Sequence, residues 1–396
     1  MATLLLVVIY IVFIGLGLPD SSIGAAWPAL HLELDLAIGL QSLISLFISG
    51  GTVIASLFSA KLVNKFGTPL VTSCSTLLSA ISLLGFALSN SLWWLLILSP
   101  FLGFGAGAID AALNNYVATH YKSSQMNFLH SFYGVGVALT PYVFSFTLYG
   151  NNDWRTGFKI VFIILIGIAI LSFASLPLWK KVATNFSEQE KFTPVTLKLT
   201  TMAKMPTVRM AWLLFFSTCV LEFLCGTWGC TFLVETRNMT EASAAKLITF
   251  YYVGIMGGRF LSGVVSKKIS CGGILTIGFS LVAIGIIALF LPLPTVILGV
   301  AFFLIGFGNG PTFPNLTHAT PLIYGRERSQ SIISTQMAAC NLGIFTMYAI
   351  TGPIFQSVAF GSFPIIAVIS YLAMVGAFVV YQVLIKKDGI SFYKLH

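Results

Sequence analysis

Three carboxylates stand where carboxylates are costly. Asp20, Asp110 and Glu222 each lie inside a long apolar stretch, and an Asp at the centre of a lipid-embedded helix costs about 2.5–3.5 kcal/mol on insertion scales. Such a group persists when it faces a cavity, pairs with another group or carries a proton. The alternative is a hydrogen-bonded acid that locks neighbouring helices together. Asp110 closes the run GFGAGAID (103–110), and His130 lies a few residues into the next apolar stretch. An acid and an imidazole at similar depth on adjacent helices can pass a proton between them. Asp110, His130, Glu222 and Asp20 are therefore the expected proton-coupling residues, with Asp110 the first choice.

A second set has the chemistry of solute recognition. Glu222 is followed six residues later by Trp228; a carboxylate accepts pairs of hydroxyls, and an aromatic face covers the apolar side of a pyranose ring. Asn114, Asn315, Gln336 and Asn341 add uncharged donors and acceptors within apolar stretches. The competing readings are interhelical hydrogen bonding for the amides and a membrane-interface position for Trp228. Arg259, in GGRFLSG, fits a structural charge network. The sequence GLGLPDSS (15–22) loosens its helix, because Pro19 removes a backbone donor and lets carbonyls and Asp20 turn toward a cavity.

These residues need a scaffold, and composition names it. The 396-residue chain is 57% hydrophobic and 8% charged, where soluble domains carry about 25% charge; lipid must be the solvent for most of it. A helix crossing the hydrocarbon core needs about 20 apolar residues. That window predicts twelve spans, near 3–28, 38–63, 69–88, 91–118, 127–149, 157–179, 208–234, 242–265, 272–290, 294–318, 328–350 and 362–385. The expected fold is thus all-α and polytopic: six helices in 1–179, a linker over 180–207 carrying part of a surface helix, and six helices with a short tail in 208–396. The first stretch lacks the basic start of a leader peptide and reads as a membrane helix. With the N-terminus inside, only Arg155, Lys159, Arg237, Lys246 and Arg259 of the 21 Lys and Arg remain for the outer side or the membrane. That bias puts both termini in the cytoplasm.

The two halves repeat. GFGAGAID at 103 and GFGNGPTF at 306 are 203 residues apart, as are the basic turns AKLVNKFG (60–67) and GVVSKKIS (263–270); Asp20 and Glu222 follow the same spacing to within one residue. Transporters built from repeats bind solute near the bilayer midplane and alternate access by rocking one half against the other.

With these features the chain resembles the major facilitator superfamily: two six-helix bundles, a central linker, and basic turns after spans 2 and 8. The superfamily's loop signature is degenerate here, keeping Lys65 and Gly67 in the first half and Gly263 and Lys268 in the second, with Asn64 and Lys267 where acids are usual. Lys65, Gly67, Arg259 and Lys268 are accordingly read as structural or gating residues. A narrower resemblance is to the fucose–galactose–glucose:proton symporters and their glucose-permease relatives. It is carried by LGFGAGAIDAALNNYVA, MNFLHSFYGVGVALTP, VLEFLCGTW with YYVGIMGGRFLSGVVSKK, and LIGFGNGPTFPNLTHA. That resemblance implies a proton-coupling acid at Asp110 and a cavity lined by spans 1, 4, 7 and 10.

Other classes are excluded or set second. The glycine run lacks dinucleotide spacing, no phosphate-binding loop occurs, and the dispersed histidines and six cysteines form no metal or nucleophile set. The expectation is a transporter and not an enzyme, without organic cofactor or metal, coupled to H⁺ with Na⁺ as the alternative. Its partners are a small-molecule substrate, most reasonably a sugar, and the lipid bilayer. No nucleic acid is involved, and the expected state is a monomer in the cell membrane. The runner-up is a proton-driven exporter of drugs or amphipathic molecules, which 34 phenylalanines keep open.

Overall fold

The computed structural model describes residues 2–121, 123–149, 153–183, 197–266, 268–358 and 360–395. All regular structure among them is helical. Ten helical stretches are long and apolar enough to cross a membrane. Helix α3 (Leu40–Phe66), whose apolar part is Leu40–Ser56, and α6 (Ser123–Thr147) lie where the two remaining spans are expected.

The first span is longer than expected and broken. It runs as α1 (Ala2–Asp20) and α2 (Ser22–Glu33), parting just after Pro19. Hydroxyls occupy the carbonyls there: Ser22 Oγ donates to Pro19 O at 2.6 Å, and Thr140 Oγ1 donates to Leu18 O at 2.8 Å. Spans 3 to 6 are α4 (Thr68–Ala87), α5 (Leu92–His120), α6 and α7 (Trp154–Ala174). Gly67 forms the corner between α3 and α4 with φ +81°, a conformation that strains any residue with a Cβ. Lys65, beside it, lays its ammonium 5.2 Å from the Phe66 ring centroid. A short helix α8 (Leu176–Ala183) starts the linker and α9 (Leu199–Lys204) ends it. Residues 184–196, on which most of the linker expectation rests, lie outside the described residues.

Spans 7 to 9 are α10 (Pro206–Arg237), α11 (Glu241–Val265) and α12 (Cys271–Leu289). Span 10 is broken into α13 (Thr295–Asn309) and α14 (Thr312–Tyr324), and α15 (Arg326–Ser357) and α16 (Phe363–Lys387) close the chain. In the basic turn after α11, Lys268 is exposed; Lys267 lies outside the described residues.

The chain packs as two compact units. One comprises Met1–Glu188 with Gly229–Thr249 and Thr351–Ala359; the other comprises Gln189–Trp228, Phe250–Ile350 and Phe360–His396. In the first, Arg155 pairs with Glu33 and donates to Ser89 O at 3.1 Å, tying the ends of α2, α4 and α7. In the second, α9 is seated by Met202, which clusters with Val208 and Ile332.

The repeat is written into backbone contacts. A Cβ on Gly107 would lie 2.5 Å from Thr52 O, and one on Gly310 would lie 2.6 Å from Ile255 O. Gly105 presses on α4 at Ser75, and Gly308 presses on α12 at Gly278. Each pair maps onto the other at the 203-residue spacing. Missing side chains at these glycines let span 4 and span 10 approach two neighbours at backbone distance.

Candidate functional site

Two acid centres form, one in each unit. In the first unit, Gly17 brings α1 against α6, where a Cβ would meet Val137 N at 2.8 Å. Ser21 Oγ fixes the same contact by donating to Val137 O at 2.7 Å. That seating places Asp20 before Tyr133, whose hydroxyl donates to Asp20 Oδ2 at 2.5 Å. On α5, Asn114 Nδ2 donates to Asp110 Oδ1 at 2.7 Å, one turn away.

Both carboxylates are exposed although their helices are mostly buried. The apolar exposed stripe of α5 includes Ile97 and Phe101. At about 100° per residue, Asp110 lies about 180° around the helix from Phe101. Asp20 lies about 160° from the exposed Leu4 on α1. Both acids therefore face away from the lipid-like stripes of their helices. A carboxylate inside an apolar span that is turned from the lipid-like stripe and held by neutral donors is a site that can take up and release a proton or accept hydroxyls.

His130 is half-buried, with its ring edge-on to Phe13 at 5.9 Å. The residue that α6 presents to Asp20 is Tyr133, one turn further on. Sequence reasoning passed over Tyr133, because an uncharged phenol in an aromatic-rich span carries no signal of its own.

In the second unit, Glu222 on α10 meets Arg259 on α11. One guanidinium nitrogen lies 3.0 Å from Oε1 and 3.3 Å from Oε2. The pair retains modest access, with side chains 18% exposed for Glu222 and 13% for Arg259. Arg259 Nε also donates to Gly310 O at 3.2 Å, at the break of span 10. Tyr251 donates to the backbone oxygen of Glu222 at 2.9 Å.

The expected Glu222–Trp228 partnership does not form. Trp228 is fully buried and packs on Phe360, with ring centroids 5.6 Å apart; on the helix it lies about 120° from Glu222. The carboxylate is turned to the guanidinium instead. The interface reading of Trp228 fails too, since no part of its ring reaches the surface.

The amides divide by environment. Asn315 Nδ2 donates to Ser262 Oγ and to Pro311 O, both at 2.7 Å, joining α14 to α11. Gln336 is buried and exchanges hydrogen bonds with Thr320 Oγ1 at 3.1 Å, joining α15 to α14. Both act as interhelical ties in this conformation. Asn341 is exposed on α15. Among the described residues no group of three or more His, Cys, Asp or Glu side chains gathers to hold a metal ion.

Comparison with known proteins fits this architecture. The chain is 22% identical over 343 residues to the glucose/mannose transporter GlcP of Bacillus subtilis (strain 168), covering 84% of each. It is 24% identical over 391 residues to a multi-drug resistance efflux pump PmrA homolog of Lactococcus lactis subsp. lactis (strain IL1403), covering 89% of this chain and 88% of the relative. Among solved structures, a D-xylose-proton symporter superposes with a TM-score of 0.74 at 15% identity, over 98% of this chain and 99% of that one. A mutant of the nucleoside transporter NupG gives 0.71 at 12% identity, over 95% of this chain and 98% of that one. The family model of the Major Facilitator Superfamily matches residues 9–348. The chain thus belongs to the major facilitator superfamily and is a multi-pass membrane transporter, not an enzyme.

Proposed function

We propose that this transporter takes up a sugar or similar small polar solute together with a proton, by alternating access between halves 1–179 and 208–396 joined by the 180–207 linker. The observation that carries this reading is the pair of exposed acids, Asp20 with Tyr133 and Asp110 with Asn114, in the middle of apolar spans. In it Asp110 binds and releases the proton, Asp20 and Tyr133 stand beside it, and His130 lines the same helix as Tyr133. Glu222 is removed from the proton list, because Arg259 already matches its charge; its part is to accept solute hydroxyls. Asn114 and Asn341 supply further hydroxyl partners, while Asn315 and Gln336 do so only when their interhelical bonds open.

The printed functions of a glucose/mannose transporter and a D-xylose-proton symporter support a sugar as substrate and H⁺ as the coupling ion, with Na⁺ as the alternative. The lysine and arginine bias supports a cell-membrane orientation with both termini inside. The working unit is a monomer.

A second reading, proton-driven export of amphipathic drugs, is favoured by the similarity to the multi-drug efflux pump homolog. Uptake of labelled hexoses and pentoses into proteoliposomes, with and without imposed pH and Na⁺ gradients, separates the two. The symport reading requires accumulation driven by an inward proton gradient. No uptake of any sugar, alongside drug-stimulated proton flux, would replace it with the exporter.

A further inference from the structure

Two prolines strip span 10 of helical donors. In an α-helix the N–H of residue i+4 donates to carbonyl i, so Pro314 leaves Gly310 O, and Pro311 leaves Phe307 O, without the usual partner. Arg259 Nε supplies Gly310 O at 3.2 Å, while Nη2 of the same guanidinium holds Glu222 at 3.0 Å. The planar guanidinium does this from two separate nitrogens held in a fixed fork, whereas an ammonium would have to reach both oxygens from a single nitrogen. The surroundings of the break are under-satisfied. Asn309 Oδ1, Thr312 Oγ1 and, one turn before Glu222 on α10, Thr218 Oγ1 are buried without hydrogen-bond partners. Asn309 Nδ2 meanwhile donates to Thr218 O at 3.3 Å. Buried groups left unpaired carry a desolvation cost, so the junction of α13 and α14 has few polar ties of its own, and Arg259 supplies one from a neighbouring helix.

We propose that Arg259 is a positioning residue that links Glu222 to the break in span 10, so that a solute engaging Glu222 loosens the α13–α14 junction. When solute hydroxyls donate to Glu222, the carboxylate is drawn from Nη2, the guanidinium shifts, and Gly310 O loses its external donor. Helix α14 is then free to tilt against α13, which changes access from one side of the span. The solute-driven step rests on the uptake reading above. The brace itself is independent of solute, and the two are tested separately.

The reporter is a cysteine on α14, His318→Cys, at an exposed position. It is placed in a Cys74→Ser background, because Cys74 is exposed and the other five cysteines are buried. Without any solute, Arg259→Lys raises the rate of N-ethylmaleimide labelling severalfold. Adding Pro314→Ala, which returns a backbone N–H to reach Gly310 O, brings the rate back toward that of the parent. Where sugar uptake is measurable, Arg259→Lys lowers the maximal rate about tenfold, the loss of one charge-assisted hydrogen bond, with little change in KM. Pro314→Ala again rescues it. If Arg259→Lys does not reach the membrane, Pro314→Ala alone still decides, since it should slow labelling below the parent rate. Parent-like labelling in Arg259→Lys, no rescue by Pro314→Ala, or unslowed labelling in Pro314→Ala alone would overturn the proposal. A parent that takes up no sugar but shows the labelling pattern would overturn the uptake reading and leave the brace standing.

Discussion

Asp20 and Glu222 hold equivalent places in the two repeats, one in span 1 and one in span 7, and their partners differ. Asp20 is exposed and receives the neutral hydroxyl of Tyr133 from span 5. Glu222 is half-buried and receives the guanidinium of Arg259 from span 8. The scaffolds around them are alike: Gly107 on Thr52 and Gly310 on Ile255 make the same backbone contact. The two acids differ in the side chain each receives and in the span that supplies it. An acid faced by a phenol keeps its capacity to gain and lose a proton, whereas an acid matched by arginine loses a partner when its charge changes. Span 4 carries an unbroken helix ending its glycine run on Asp110, while span 10 breaks at Gly310–Pro311 and leans on Arg259.

Substitutions in the two halves test this difference. The largest effect on stability is expected from Arg259→Gln, which strands Glu222. The loss should be about 3 kcal/mol, at the low end for a broken buried pair because both side chains keep some water contact. Thermal unfolding in detergent checks it, and the double change Glu222→Gln with Arg259→Gln should recover a good part. Next come Gly107→Ala and Gly310→Ala. Each forces a Cβ onto a backbone carbonyl and should cost about 1–3 kcal/mol. The two losses should be similar; one large and one negligible loss would show that the halves are not packed equivalently. Smallest is Tyr133→Phe, which removes one hydrogen bond worth about 1 kcal/mol. It should leave the protein folded while shifting the pH profile of uptake, and an unchanged profile would remove Tyr133 from the acid centre.

Much of this architecture was legible in the sequence. Windows of about 20 apolar residues located the spans, since a lipid core leaves a chain little choice but helix. The spacing of glycines and basic turns exposed the repeat, and Pro19 marked the break in span 1. The ends were less visible: span 1, expected to stop at 28, runs to Glu33. The pairing of polar side chains was hidden. Glu222 and Arg259 are 37 residues apart on separate helices, and only the crossing of α10 with α11 decides that they meet. For the same reason Glu222 and Trp228, close in sequence, point to different surroundings. Asn315 and Gln336 read equally well as solute ligands or interhelical ties, and partners from other helices decide which they are in this conformation.

In the proposed symport, the proton travels with Asp110 in the first unit and not with Glu222 in the second. This is tested most directly by counting protons per sugar in proteoliposomes for Asp110→Asn and Glu222→Gln, since a ratio is insensitive to how much protein is active. Asp110→Asn should exchange sugar across the membrane with no accompanying proton, and Glu222→Gln should bind sugar more weakly yet keep the parent ratio. Retained proton movement in Asp110→Asn, or its loss in Glu222→Gln, would contradict the account.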